Sequence, residues 1–171
     1  MGIYLLANGA MQTTAALVAV ATGTSIKTMM QFVPKSQNAR IKEWGISFNG
    51  YSAALPGKVE LIETDVGATI TQYANADITK IDGDALMGPS DPTTNLIDVS
   101  STTKSGFTST VEGSITAVRN LDSPQFIAPS TQFVKQYPLG DEPMIQLGKF
   151  ARIRVTFGTT VDAYCWMKVQ L

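Results

Sequence analysis

Histidine is missing altogether from the 171 residues, and cysteine occurs once, as Cys165. The first absence removes the Ser-His-Asp triad, the Cys–His dyad and ordinary zinc sites. The second removes any intrachain disulfide. Cys165 sits in a run of alternating apolar residues, which reads as a small buried hydrophobe. A reactive thiolate would need a basic neighbour. No GxGxxG, P-loop or GxSxG motif occurs either. The expectation is therefore no catalytic residue, no bound metal and no cofactor.

Charge is scarce. Only 16% of residues are charged, and the net charge is −1. No basic run could neutralise several phosphates, so no nucleic-acid partner is expected. The same lack argues against an anionic membrane surface. Long apolar runs are lacking too. Residues 15–21 are apolar and end in Ala19-Val20-Ala21, which looks like a signal-peptidase site, but the first basic residue is Lys27. Asn8, Gly9, Gln12, Thr13 and Thr14 interrupt the stretch, so it cannot span a bilayer. It is read as mature sequence.

What is present is threonine, more frequent here than leucine, together with valine, isoleucine and aromatics. These fit a pleated, half-buried surface. A chain of this mass exposes about 8,000 Å² folded against about 26,000 Å² extended, enough burial for one domain without staples. Strands are expected at residues 27–33, 40–48, 59–64 and 132–137, with shorter ones at 68–73 and 96–99. Residues 111–120 and 125–127 also look extended. In residues 40–48, Trp44, Ile46 and Phe48 share one face and Glu43, Gly45 and Ser47 the other. Turns are marked by Asn49-Gly50, Leu55-Pro56-Gly57-Lys58, Gly88-Pro89-Ser90-Asp91-Pro92 and Leu139-Gly140-Asp141-Glu142-Pro143. Residues 100–105 read as a surface loop.

The clearest pattern is C-terminal. Ile153, Val155 and Phe157 alternate with Arg152, Arg154 and Thr156. After Gly158-Thr159-Thr160, the odd residues from Val161 to Leu171 are apolar, and Asp162, Tyr164, Trp166, Lys168 and Gln170 lie on the other side. This predicts a β-hairpin with its even side toward solvent or a partner. Trp44, Ile46, Phe48, Ile153, Val155 and Phe157 are expected in the core. Eight or so short strands without a helical stripe predict an all-β, antiparallel, jelly-roll-like sandwich, one domain over residues 1–171.

Few residues invite a functional reading. Tyr164 and Trp166 form an aromatic pair on one strand face. They serve as core beneath another strand or loop, as a subunit or partner contact, or as a sugar-stacking platform. Arg152 and Arg154 read as a solvated strand face, with cross-strand pairing, for example to Asp162, as the alternative. Asp82-Gly83-Asp84 is the nearest thing to a metal loop, but it lacks the further acidic ligands of an EF-hand and reads as a turn.

Two stretches resemble a known group. Lys58-Val59-Glu60-Leu61-Ile62-Glu63-Thr64 follows a Pro-Gly turn after a Trp-containing strand. The run from Glu142 to Val155 leads into the final strands, which contain Trp166. Together they resemble the small jelly-roll decoration, or cement, proteins of tailed bacteriophages, over about two-thirds of the chain from Arg40 onward. The first 25 residues do not match, and the chain ends Met167-Lys168-Val169-Gln170-Leu171 instead of in acidic residues. The resemblance implies a non-enzymatic homotrimer on the capsid surface of the virion, with the major capsid protein as partner. The alternative is a glycan- or receptor-binding jelly-roll module of a phage tail or fibre. Residues 1–25 hold Ile3, Tyr4, Leu5, Leu6, Leu17, Val18 and Val20 and no charge. They are expected either to form an arm that packs on a neighbour or to start the sandwich. Ile3, Tyr4, Leu5, Leu6, Tyr164 and Trp166 are thus the candidate interface residues.

Overall fold

The computed structural model describes residues 2–10, 20–49, 55–82, 96–113, 116–126 and 132–171. The protein is an all-β sandwich of two antiparallel, unclosed sheets. The first sheet holds β1 (Ile3–Ala7), β2 (Val20–Ala21), β4 (Ala39–Asn49), β7 (Thr79–Lys80), β11 (Phe133–Gln136), β12 (Met144–Ile145) and β14 (Asp162–Gln170). Its path is β11-β4-β14-β1-β7, with β12 also on β4 and β2 on β14. The second sheet holds β3 (Lys27–Phe32), β5 (Gly57–Thr64), β6 (Thr69–Gln72), β8 (Gly106–Val111), β9 (Arg119–Asp122), β10 (Gln125–Phe126) and β13 (Phe150–Thr156). Its path is β10-β5-β13-β3-β8-β6, with β9 also on β5.

The core lies between the sheets and follows the period of two. Trp44 and Ile46 from β4, Ile153 and Val155 from β13, and Ala163, Cys165, Met167 and Val169 from β14 are all fully buried. Phe157 is 1% exposed, and Phe48 is half-buried against the same cluster, edge-on to Phe157 at 5.4 Å between ring centroids. Burial pushes the Cys165 thiol well above its ordinary pKa, as befits an inert core residue.

The predicted hairpin is not one. β13 pairs with β3 and β5 in the second sheet, whereas β14 pairs with β1, β2 and β4 in the first. The short loop after Phe157 carries the chain from one sheet to the other. Alternation says which side of a strand is buried, and both strands do bury their odd residues; it does not say which strand lies alongside. Smaller corrections follow the same logic. Residues 96–99 form only one isolated bridge, Ile97 to Pro34. The extended segment expected over residues 111–120 is instead split between the end of β8 and the start of β9.

Over residues 3–7 the N-terminal segment is a strand of the sandwich and not an arm. β1 lies between β14 and β7, with Tyr4 opposite both Val169 and Lys80. Tyr4 and Leu6 are 4% and 0% exposed. Asn8 prolongs the ladder with its side chain, donating from Nδ2 to the Ala163 carbonyl at 2.9 Å and accepting from the Cys165 amide at 3.0 Å. Of the rest of the N-terminal segment, residues 11–19 lie outside the described residues. So do Gly83, Asp84 and the loop at 88–92.

Candidate functional site

The outer face of the first sheet carries the aromatic pair. Strand register sets out its rows. Ala7, Trp166, Gly45 and Val134 lie side by side across β1, β14, β4 and β11, and Leu5, Lys168, Glu43 and Gln136 form the next row. Trp166 thus has its smallest neighbours on either side, and its ring settles over Gly45, where an added Cβ would overlap it. Tyr164, two residues along the same face, has its ring centroid 5.8 Å from that of Trp166 at an interplanar angle of 30°.

Glu43 organises this face. It accepts from Trp166 Nε1 at 2.9 Å, Gln136 Nε2 at 2.7 Å and Lys168 Nζ at 2.9 Å, so three strands converge on one carboxylate. Burial works against its charge, but hydrogen bonds from Lys168, Gln136 and Trp166 outweigh burial and hold its pKa below the ordinary value. Beside it opens a hollow of about 440 Å³, lined by Leu5, Glu43, Ser47, Gln132, Tyr164, Trp166 and Lys168.

Of the six candidate interface residues, the structure brings Leu5, Tyr164 and Trp166 to this hollow. Ile3 shares their outer face opposite Gln170. Tyr4 and Leu6 point into the core and are unavailable to a partner. The core alternative for Tyr164 and Trp166 fails, since both are half-exposed on the outer side. Glu43, Gly45 and Gln136 were not predicted as site residues. Their face was legible from alternation, but the strand partners that gather them were not.

Arg152 and Arg154 do not form a solvated face. Arg152 is fully buried: it donates to the Thr28 hydroxyl from Nε at 3.0 Å and to Glu112 Oε2 from Nη2 at 2.5 Å. Arg154 Nε donates to Glu60 Oε2 at 3.0 Å, its direct cross-strand partner on β5. The cross-strand alternative was sound in kind, but Asp162 lies in the other sheet. Asp82 accepts from the Ile3 amide at 2.6 Å and ties down the start of β1.

A third feature runs along the edge of the first sheet. Residues 137–147 follow the first half of β4, with Tyr137 N bonded to the Lys42 carbonyl and Leu147 N to Asn38 Oδ1. Glu142 locks this segment. It pairs with Lys42, accepts from the Gly140 amide at 2.8 Å and lies 3.6 Å from Arg40. Leu139, Met144 and Leu147 on the segment are 92%, 39% and 48% exposed.

Among the described residues, no three acidic or cysteine side chains gather as a metal site, and no helix is long and apolar enough to cross a membrane. No family model, curated protein or solved structure matches the chain.

Proposed function

We propose that the chain is a non-enzymatic structural protein of the virion: a jelly-roll decoration protein that binds the outside of a tailed-phage capsid as a homotrimer and stabilises it. The class comes from the resemblance of residues 58–64 and 142–155. Those stretches are neighbours in space, since β5 and β13 pair from Phe150–Thr64 to Thr156–Lys58.

The observation that carries a docking role is the apolar edge. Leu139, Met144 and Leu147 stand in solvent on a segment that the Glu142 ion pairs hold rigid. Exposed large apolar side chains on a fixed backbone make a contact without much ordering cost. Three such edges in a trimer add avidity to modest individual contacts, which gives slow release from the major capsid protein.

The test is whether the protein co-purifies with intact heads and where it sits in a map of them. Leu139→Asp combined with Met144→Glu is expected to weaken head binding while the far-UV spectrum stays unchanged. Light scattering is expected to report a trimer. A monomer at micromolar concentration and again on capsids would refute the reading.

A further inference from the structure

Trp166 is fixed on two sides. One ring face rests on Gly45, and Nε1 is bonded to Glu43 at 2.9 Å. The ring cannot leave the sheet without breaking that bond, and it lines the open hollow of about 440 Å³. Tyr164, tilted 30° to it, extends the aromatic surface into a shallow trough. Ser47, Gln132 and Lys168 also line it.

The charges select the ligand. Glu43 and Lys168 are paired at 2.9 Å, so the hollow has no net charge to offer. A cation would meet Lys168, and an anion would meet Glu43. What remains is an aromatic floor with uncharged polar groups beside it.

We infer that this hollow binds a neutral saccharide. An aromatic face carries partial negative charge and attracts the positive C–H edge of a pyranose ring. Ser47 and Gln132 would fix its orientation through its hydroxyls, as a few placed polar groups do in most small-ligand sites. Because Glu43 already holds the ring, little ordering is needed on binding. The inference does not depend on the capsid role, since the hollow and the Leu139 edge are formed by different residues.

The test titrates the purified protein with cellohexaose, maltohexaose, xylohexaose and chitohexaose, read by calorimetry and by the indole N–H resonances. At least one probe is expected to bind and to shift the Trp166 indole signal while leaving that of buried Trp44 in place. Trp166→Ala should weaken binding about tenfold. Gln132→Ala, at an exposed position that leaves the fold intact, should weaken it about threefold. Failure of all four sugars at millimolar concentration would overturn the inference. So would a Trp166→Ala variant that keeps its sugar affinity. None of these results bears on whether the protein sits on heads.

Discussion

The outer faces of the two sheets begin from the same kind of sequence and end differently. Both carry charged residues alternating with a buried apolar row. On the second sheet the chain folds back over that face. Gln31 accepts from the Ala68 amide at 2.8 Å and donates to the Lys104 carbonyl at 2.5 Å. The backbone at Gly67 lies so close to Phe150 and Gln31 that a Cβ would stand 2.6 Å from one and 2.8 Å from the other. Arg152 is sealed beneath Glu112 and Val66. On the first sheet the equivalent row ends in the open, and its carboxylate serves to hold a tryptophan. One face is covered by its own chain, and the other stays open to solvent.

The largest effect that separates the faces is expected from the two cations. Arg152→Ala takes the ion-pair partner from Glu112, which keeps its hydrogen bonds from Thr28 and Ser109, and empties a fully buried site, so it should cost about 3–5 kcal/mol. Lys168→Ala removes a half-exposed partner from Glu43, which keeps Gln136 and Trp166. It should cost about 1 kcal/mol or less. Urea denaturation of the two variants measures the difference. Equal losses would mean that the second sheet's outer face is wetter than its hydrogen bonds indicate.

That contrast also marks where sequence reasoning stops. The strands at residues 27–33, 40–48, 59–64 and 132–137 were legible because apolar and β-favouring side chains run between Pro and Gly punctuation, and at Trp44, Ile46 and Phe48 they also alternate. The burial of Trp44, Ile46, Ile153, Val155 and Phe157 followed from the same alternation. What alternation cannot carry is the identity of the neighbouring strand. It therefore missed the crossing between β13 and β14, the covering of Arg152 by residues 66 and 112, and the meeting of Glu43 with Gln136 and Lys168. The contacts of Arg152 and Glu43 each span 40 residues or more and are set by register and loop path. At the N-terminus, the apolar residues of β1 have no strict period because the outward ones, Ile3 and Leu5, are apolar too.

An intermediate effect is expected at Gly45, where the first sheet's face is most finely fitted. Gly45→Val puts a branched side chain where the Trp166 ring now rests. The ring must swing away and lose its bond to Glu43. Overpacking of this kind costs about 1–3 kcal/mol. The Trp166 fluorescence should shift toward that of a solvent-exposed indole, measured with Trp44→Phe as background. If the spectrum stays put, the ring is not held by Gly45, and the two outer faces differ less than proposed.

The smallest effect is expected from acid at the edge of the first sheet, and it sharpens the comparison by isolating one group. Glu142 has its pKa held down to about 2, first by the hydrogen bond from Lys42 and next by the Gly140 amide. The ordinary value is 4.5, so on acidification the unfolded chain takes up this proton before the folded one does. The stabilisation is therefore complete above pH 4.5 and is lost progressively as the pH falls toward about 2. Glu43 and Glu60 are also held below their ordinary value and bend the acid limb in the same direction, so the wild-type curve alone cannot assign it. Subtracting the curve of Glu142→Gln, which cannot titrate, removes their shared contribution. The difference should be flat above pH 4.5 and should shrink below it. In parallel, the Gly140 amide resonance, whose donor points at Glu142, should follow the carboxylate and move near pH 2. Movement near pH 4.5 would show that the turn carrying Leu139 is not held by Glu142, and the apolar edge would then lose the rigidity on which its docking role rests.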